Sequence, residues 1–385
     1  MSSSSSTTTS SAIKQIKPLS FPFETPDPFL FCVYHKDLYP AGNDRMEAPR
    51  TGNGADFDSK APYRMYHGSG RVPGFPQHPH RGFETITCTL QGHIDHTDSM
   101  GNCGRYGEGD VQWMTAGKGI CHSEMFPLVH SDKPNTLQLY QIWINLPKKN
   151  KMVDPSFCMH WADRIPVMNS DNSSLIKGQT ASVRIWAGNW PGGARGLDPP
   201  PNSWASTAAN EVAVYSVELR QKGDEVTVPP ASDSSVNRAL YFTEGTSILC
   251  GGKSLGQHCH VILDAEKECV LSFAGHKPEE TLCLILQGKP IAEPVKQYGP
   301  FVMSTTQEIQ QAFQDYQSTQ FGGWPWDSEA VVFPKICKAQ WQRNESWGSC
   351  VDLDQTKTNS KIQGLAASSS MSSSFNEQTT IFLFA

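Results

Sequence analysis

Residues 74–126 read GFPQHPHRGFETITCTLQGHIDHTDSMGNCGRYGEGDVQWMTAGKGICHSEMF, and this stretch decides the fold. His78 and His80 stand near its start, and His122 and Glu124 stand near its end, so each pair is spaced by two residues. On a β-strand, side chains two residues apart lie on the same face. Apolar and β-branched runs separated by glycine and polar turns connect the two pairs, which predicts a series of short strands.

Two such strands facing each other inside a barrel would bring three imidazoles and one carboxylate together. These ligand types suit Fe, Cu, Ni, Mn and Zn, and four of them on a six-coordinate metal leave positions for water or substrate. The stretch therefore predicts a reactive metal site at His78, His80 and His122 with one carboxylate. The residues alone leave that carboxylate open between Glu124 and Glu84, which follows His80 by four residues and shares its face on an unbroken strand.

Three motifs carry a family resemblance, and they are HPHRGFET (78–85), GDVQWMTAG (109–117) and GICHSE (119–124). They resemble the signature of the pirin family, a bicupin branch of the cupin superfamily, and similar motifs at 137–147 and 293–303 extend the resemblance over about residues 21–320. In that family the metal is usually iron, held by both histidines of the first motif and by the histidine and glutamate of the last. The resemblance therefore implies His78, His80, His122 and Glu124 as ligands, and it favours Glu124 over Glu84.

The resemblance also implies two different functions. The first is a quercetin 2,3-dioxygenase-type enzyme that uses O₂ on a flavonol or related enol, with Phe75, Phe83 and Trp143 at the barrel mouth. Glu124 would then also be a catalytic base toward an acidic hydroxyl. The second is a non-enzymatic, iron-dependent redox-sensing regulator that binds a transcription factor. A purely structural metal is a third possibility, since fold class does not fix function.

The predicted fold is all-β, with two cupin-type jelly-roll barrels in one chain and a short C-terminal helix. The predicted divisions are a disordered Ser/Thr-rich tail (1–20), an N-terminal metal-binding cupin domain (21–150), a junction (151–203), a C-terminal cupin-like domain (204–304), a packing helix (305–320) and a C-terminal extension (321–385). Thr305 and Glu308 form a capping-box pattern at the start of the helix. Tryptophans in the first part of the extension are expected to dock onto the domain, whereas 352–385 is expected to be disordered.

Several further side chains have ambiguous settings in the sequence. His258 and His260 repeat the spacing of two, but no matching His and Glu follow, so no second metal is expected. His93 and His96 are interpreted as solvated residues of a loop over 92–109. His35 is interpreted as a surface or hydrogen-bonded residue. The alternating segment 137–146 predicts a strand but leaves open whether Gln138 or Gln141 faces the metal pocket.

Composition limits the classes of partner and the compartment. The net charge of −6 over 385 residues argues against direct nucleic-acid binding, and no window approaches the roughly 20 apolar residues of a membrane span. Eleven cysteines without a CxxC pair or a secretion signal indicate free thiols in a reducing compartment. We expect a cytoplasmic or nuclear monomer, for which a protein partner and organelle targeting both stay open.

Overall fold

The computed structural model of the chain describes residues 11–49, 61–68, 70–335 and 351–352. It divides into two compact units. The N-terminal barrel comprises Phe29–Arg164, Asp198–Ser206 and Ile291–Ala385, and the C-terminal barrel comprises Met1–Pro28, Ile165–Leu197 and Thr207–Pro290. Strands dominate both units, which confirms the predicted all-β class with two barrels and one short C-terminal helix.

In chain order the strands are β1 (Ile13–Pro18), β2 (Phe29–Tyr39), β3 (Gly74–His80), β4 (Phe83–Gln91), β5 (His93–Asp98), β6 (Cys103–Gly107), β7 (Val111–Thr115), β8 (Ile120–Met125), β9 (Asn135–Asn145), β10 (Ser156–His160), β11 (Val167–Met168), β12 (Ile176–Lys177), β13 (Ser182–Ala187), β14 (Asn189–Trp190), β15 (Ala194–Arg195), β16 (Ala213–Leu219), β17 (Glu225–Val228), β18 (Asn237–Glu244), β19 (Ser247–Cys250), β20 (Lys253–Gly256), β21 (Cys259–Leu263), β22 (Cys269–Phe273), β23 (Thr281–Gly288), β24 (Lys296–Tyr298), β25 (Phe301–Met303) and β26 (Val351–Asp352). The α-helix α1 is Thr306–Thr319, and short 3₁₀ turns lie at Lys148–Asn150, Trp204–Ser206, Ala208–Asn210 and Gln320–Gly322.

The N-terminal barrel is built from two main sheets. One has the strand order β2-β9-β4-β7-β10-β26, and the other has the order β3-β8-β5-β6. The central strands β4 and β9 are rich in β-branched and aromatic residues, which favour extended backbone. Alternation along β9 sends Leu139, Gln141 and Trp143 toward the interior, next to β4 and the four-stranded sheet. Of the two glutamines left open by the sequence, Gln141 is therefore the one that faces the pocket. Gln138 lies on the other face of β9 and donates to the Tyr34 hydroxyl at 2.6 Å.

The C-terminal barrel has a seven-stranded sheet, β1-β21-β18-β23-β16-β13-β11, and a five-stranded sheet, β12-β17-β22-β19-β20. Its interior is one continuous apolar cluster that includes Val217, Leu240, Ile248 and Ile285. Strand β1 pairs antiparallel with β21 at the edge of the larger sheet. The prediction of a disordered tail over 1–20 is therefore wrong for Ile13–Pro18, because pairing with a strand far along the chain overrides the local composition.

The structure also revises the predicted divisions of the chain. Strand β10 pairs with β7 in the N-terminal barrel, and β13 pairs with β16 in the C-terminal barrel, so 151–203 is not a separate junction. Residues 291–303 belong to the N-terminal barrel rather than to a C-terminal domain ending at 304. Boundaries fall at these places because long-range strand pairing, rather than the turn-rich composition of the segment, determines membership of a sheet.

Helix α1 confirms the predicted capping box. The Thr305 hydroxyl accepts from the backbone N–H of Glu308, and the Glu308 carboxylate accepts from the N–H of Thr305 at 2.9 Å. Ile309 and Ala312 are buried against Phe301 of β25. The following extension docks through Trp326, whose indole N–H donates to the Asp98 carbonyl at 2.8 Å, as expected for its tryptophans. The prediction of disorder over 352–385 concerns a segment whose side chains lie outside the described part of the chain.

Two further expectations concern membranes and thiols. No helix in the described part of the chain is long and apolar enough to span a membrane. Eight of the described cysteines are free thiols. Cys158 is disulfide-bonded, and its partner lies outside the described residues, so the prediction of exclusively free thiols is wrong at this position.

Candidate metal centre

The two histidine motifs meet on neighbouring antiparallel strands of the N-terminal barrel. His78 of β3 lies opposite His122 of β8, and a bulge between Phe75 and His78 keeps both on the interior face. The His122 ring centroid is 4.4 Å from that of His78 and 4.9 Å from that of His80. The candidate ligand atoms of these three residues all lie within 4.8 Å of one another. The predicted convergence of three imidazoles is thus present.

His122 has a setting that an ordinary buried histidine does not have. Its side chain is 0% exposed, and neither ring nitrogen has a hydrogen-bond partner among the residues that the structure describes. Burying polar atoms without partners costs free energy, roughly 1–3 kcal/mol per group in proteins. Burial and the neighbouring His78 lower the pKa of His122, so the ring is neutral and retains a lone pair. Neutral imidazoles are the form that binds metals, so the donor set fits a transition metal.

Lowered pKa values make the other two rings neutral as well. The Nδ1 of His78 lies 2.8 Å from the Pro76 carbonyl, which accepts only, so Nδ1 carries the proton and Nε2 carries the lone pair. Burial lowers the pKa of His78 to about 4, and burial and the neighbouring His78 lower the pKa of His80 well below its usual value. The Nδ1 of His80 is buried without a partner. At neutral pH the cluster is therefore a set of uncharged donors, which avoids repulsion among three cations.

Glu124 lies on the same face of β8 as His122 but is separate from the histidine cluster. Thr87 and Tyr106 hydroxyls lie 3.2 and 3.4 Å from its Oε1, and the Gln141 amide donates to Oε2 at 3.3 Å. These contacts orient the carboxylate toward the interior, and the residue is only 5% exposed. Burial raises the pKa of Glu124. Ligation by Glu124 stays a prediction that this placement supports.

Glu84, the alternative carboxylate, points the other way. Strand β3 ends at His80, and Gly82, with φ +85°, turns the chain before β4 begins, so the unbroken strand assumed for Glu84 does not exist. Thr87 of β4 faces Glu124, and Glu84 lies three residues away on the opposite face. Its oxygens accept from Trp113, Thr115 and Ser203 at 3.2, 2.6 and 2.5 Å. Burial raises the pKa of Glu84 to about 7.

The turn after His80 is fixed from several sides. The Arg81 guanidinium donates to Asp315 of α1 at 2.7 Å and to the Lys118 carbonyl at 2.6 Å. The buried Lys151 ammonium donates to the Gly82 carbonyl at 2.8 Å. A Cβ at Gly82 would lie 2.0 Å from the Val302 carbonyl oxygen, so only glycine fits here. These contacts hold the end of β3, and with it His80, in place.

The interpretation of His93 and His96 as solvated loop residues is wrong. Both belong to strand β5, which pairs with β8 and places His96 opposite Glu124. His96 is fully buried, its ring centroid is 5.5 Å from that of His122, and its Nε2 lies 3.4 Å from an Asp98 oxygen. The segment HIDHTD has a single apolar residue, Ile94, so no hydrophobic alternation marks this strand in the sequence.

A small cavity opens onto the cluster, and its walls include a residue that the sequence did not assign to the site. Phe75, Trp143, Gln141 and His35 line it together with His78, His80 and Glu124. Phe83 instead packs behind, with its ring 5.1 Å from that of His80. His35 is buried with its Nδ1 2.8 Å from the Tyr66 hydroxyl, which donates to Asp37, so the hydrogen-bonded interpretation of His35 is confirmed.

The cavity volume at the cluster is about 30 Å³, enough for roughly two water molecules. A roomier cavity of about 260 Å³ lies elsewhere in the same barrel, lined by Tyr39, His93, Glu108 and His130 among others. It contains none of the three clustered histidines, so size alone does not identify the site. The convergence of three imidazoles does, with both ring nitrogens of His122 lacking a hydrogen-bond partner among the described residues.

Comparisons with known proteins agree with this architecture. Family models described as Pirin and as the Pirin C-terminal cupin domain match residues 43–144 and 215–322. A pirin-like protein from Solanum lycopersicum is 37% identical over 63% of this chain and 75% of its own length. Pirin from Rattus norvegicus is 30% identical over 66% of this chain and 79% of its own. The crystal structure of a quercetin 2,3-dioxygenase from Acinetobacter baumannii aligns with a TM-score of 0.59 at 27% identity, covering 77% of this chain and 87% of that one.

Proposed function

Because the chain belongs to the pirin family, and because its N-terminal barrel gathers three buried histidines, we propose that it is a metal-dependent oxygenase of the quercetin 2,3-dioxygenase type. The substrate class is flavonols or related enols, with O₂ as co-substrate. The metal we propose is Fe²⁺, and the same donors suit other divalent transition metals. The observation that carries the proposal is His122, whose two ring nitrogens are buried without partners between His78 and His80.

In this proposal His78, His80, His122 and Glu124 hold the metal. When bound, the metal supplies a Lewis-acidic and redox-active centre for chemistry between an enolate and O₂. The protein supplies orientation: the Pro76 carbonyl fixes the tautomer of His78, so that Nε2 is the donor. The low pKa values of the three imidazoles mean that few protons compete for the site at neutral pH.

Glu124 also has the properties of a proton acceptor. Burial raises the pKa of its carboxyl, and a raised pKa brings a carboxylate closer to the range in which it can take a proton from an acidic hydroxyl. The proton would go to a carboxylate oxygen, while the Gln141 amide N–H and the Thr87 hydroxyl limit rotation of the group. This assigns to Glu124 both a ligand role and a base role.

The walls of the cavity fit an aromatic substrate in character but not in size. Phe75 and Trp143 offer aromatic faces, and His35 and Gln141 offer polar groups. Pockets for drug-sized ligands have volumes of about 300–1,000 Å³, against about 30 Å³ here. A flavonol therefore enters only after lining side chains move, and the partly exposed lining residues are Phe75, His78 and Gln141.

The test is oxygen uptake with quercetin by protein of measured iron content. We expect uptake by the wild type, loss of uptake in His122→Ala, and unchanged uptake in His258→Asn. His258 is an exposed residue of the C-terminal barrel at φ +60°, a conformation that asparagine tolerates. No uptake by fully loaded wild-type protein would contradict the oxygenase proposal.

The small volume of the cavity, about 30 Å³, favours one second candidate, a non-enzymatic iron-dependent regulator whose surface changes with the redox state of the metal and binds a transcription factor. Such a protein needs no substrate entrance. Hydrogen exchange of the ferrous and ferric forms distinguishes the two: a regulator requires different protection on surface strands in the two states, and identical exchange removes this candidate. The cytoplasmic or nuclear location and the monomeric state stay predictions.

A further inference from the structure

Four free thiols lie inside the C-terminal barrel, which has no part in the proposed oxygenase site. Cys250, Cys259, Cys269 and Cys283 all belong to its buried apolar cluster. Two of them touch: the Sγ atoms of Cys250 and Cys269 are 3.4 Å apart. That distance is a van der Waals contact between sulfurs, and it is longer than the S–S bond of about 2.05 Å.

Strand pairing brings the two thiols together. Cys250 ends β19 and lies opposite Leu271 of β22, which is two residues from Cys269, so both cysteines face the barrel interior as diagonal neighbours. The Gly251 N–H donates to the Val270 carbonyl at 2.8 Å and holds the strand ends together. The exposed turn at 251–252 follows directly, so the pair lies next to the surface although both side chains are fully buried.

The electrostatic surroundings make the two sulfurs unequal. Arg238 is buried, and its Nη1 donates to the carbonyls of Asp264, Ala265 and Lys267, while its Nε has no partner. The hydrogen-bond contact with Cys250 and the charge of Arg238 lower the pKa of Cys269. The same contact and burial raise the pKa of Cys250. A thiolate is the reactive form of cysteine, so Cys269 is the nucleophile of the pair.

We propose that Cys250 and Cys269 form a redox-active dithiol that a hydroperoxide converts into a disulfide. The Cys269 thiolate attacks the peroxide oxygen, the O–O bond breaks, and the sulfur becomes a sulfenic acid as the peroxide leaves as an alcohol or water. The Cys250 sulfur then attacks the sulfenic sulfur, its proton leaves with the hydroxyl as water, and the S–S bond forms. Two thiols are oxidised by two electrons, and one hydroperoxide is reduced.

The two other thiols of the cluster serve as internal controls. Burial raises the pKa of Cys283 and of Cys259, which is typical of inert structural cysteines. All four share one apolar cluster. If Cys250 and Cys269 are oxidised and Cys259 and Cys283 are not, the difference is therefore caused by the sulfur–sulfur contact and the charge near Cys269, and not by burial alone.

The first test uses the full-length protein, treated with hydrogen peroxide, alkylated and digested with trypsin. Cleavage after Arg238, Lys253, Lys267 and Lys296 separates Cys250, in 239–253, from Cys259, in 254–267. Segment 268–296 carries both Cys269 and Cys283, because trypsin does not cleave the Lys277–Pro278 and Lys289–Pro290 bonds, and fragmentation then locates the bonded cysteine.

We expect 239–253 linked to 268–296 through Cys269, with Cys283 alkylated and with the linkage lost on reduction. Peroxide treatment that leaves Cys250 and Cys269 as thiols would overturn the proposal. So would linkage of Cys250 to Cys259 or Cys283 in amounts equal to linkage to Cys269. This test needs no variant, so it does not depend on the folding of a substituted core.

The second test assigns the nucleophile by trapping sulfenic acid with dimedone in single-cysteine variants. Cys250→Ala should accumulate the dimedone adduct on Cys269. Cys269→Ala should form no adduct on Cys250. The matched control Cys283→Ala should form the Cys250–Cys269 disulfide as the wild type does. An adduct on Cys250 in Cys269→Ala would overturn the assigned order of attack. Loss of the disulfide in Cys283→Ala would show that the dithiol alone is not the reactive unit.

Discussion

The two barrels carry the same short motif with opposite results. His78 and His80 turn their rings into the N-terminal barrel, where they meet His122. In the C-terminal barrel, Cys259 faces the apolar interior, and His258 is exposed at φ +60°. His260 lies on the other face of β21, stacked on Tyr241 at 4.7 Å. A shift of one residue in strand parity exchanges every side chain between the two faces.

This difference teaches that spacing alone identifies a pair of residues on one face, but not which face. The interior of the N-terminal barrel holds His80, His96 and His122, each with at least one ring nitrogen that lacks a partner among the described residues, which costs stability in the absence of a ligand. The C-terminal barrel fills the corresponding space with apolar side chains and four thiols. One barrel is therefore arranged for binding, and the other for packing.

The largest expected effect is the loss of metal-linked stability in His122→Ala. A ligand that binds only the folded state adds about 4 kcal/mol at a thousandfold excess over its Kd. We expect iron to stabilise the N-terminal barrel of the wild type and of His258→Asn by about this amount, and to leave His122→Ala unchanged. Hydrogen exchange of β3 and β8, with β18 and β23 as internal reference, measures it. Equal stabilisation of both barrels by iron would contradict the proposed difference between them, in which only the N-terminal barrel binds the metal.

The next effect is a pH dependence caused by Glu84. Its folded pKa is about 7, raised by burial from the ordinary 4.5. Between pH 4.5 and 7 the folded state therefore binds more protons than the unfolded state. The contribution of Glu84 to the free energy of unfolding is fully present below pH 4.5 and is lost as the pH rises through 7, by about 3 kcal/mol in total.

The measurement is urea unfolding of the chelator-treated wild type and of Glu84→Gln at pH 5 and pH 8. The difference between the two proteins cancels the histidine titrations, which have the opposite sign because their folded pKa values are lowered. The wild type should lose free energy of unfolding between pH 5 and pH 8 because of Glu84, and Glu84→Gln should not show this loss. Identical pH profiles would show that Glu84 does not titrate in this range.

A smaller effect separates the two carboxylates at the metal centre. We expect Glu124→Gln to weaken iron binding by about 10–100-fold, because an amide is a poorer ligand than a carboxylate. Glu84→Gln should bind iron as the wild type does, since Glu84 faces away from the cluster. Competition with a chelator measures the affinities, and the reverse pattern would make Glu84 the ligand.

The smallest effect tests the support of Glu124. Gln141→Leu removes the amide that donates to Oε2, and we expect iron affinity to fall by about tenfold. Gln138→Leu, on the opposite face of the same strand, removes a hydrogen bond to Tyr34 and should leave the affinity unchanged. Equal losses in both variants would indicate a general weakening of β9 and not a role at the site.

Much of the site could be predicted because it rests on local rules. Strand parity predicted the convergence of His78, His80 and His122, and turn residues predicted the strands that hold them. The orientation of Glu84 away from the histidine cluster could not be predicted, because it depends on the turn at Gly82 that separates β3 from β4. His96 was missed because β5 has a single apolar residue, Ile94, so its sequence reads as polar although the strand is buried.

The fold shows the same limit at a larger scale. The capping box of α1 is local and was predicted to the residue. The pairing of Ile13–Pro18 with β21 joins segments about 250 residues apart, and nothing in the Ser/Thr-rich composition of the N-terminus indicates it. Which barrel a strand joins is determined by the partner that completes its hydrogen bonds, and a single sequence does not reveal that partner.

The most direct test of the central claim is anomalous diffraction at the iron absorption edge from crystals of the iron-loaded protein. The account predicts one peak per chain, in the N-terminal barrel, within bonding distance of His78, His80 and His122, with Glu124 as the carboxylate ligand. A peak in the C-terminal barrel, or full loading with no peak at the three histidines, would contradict it.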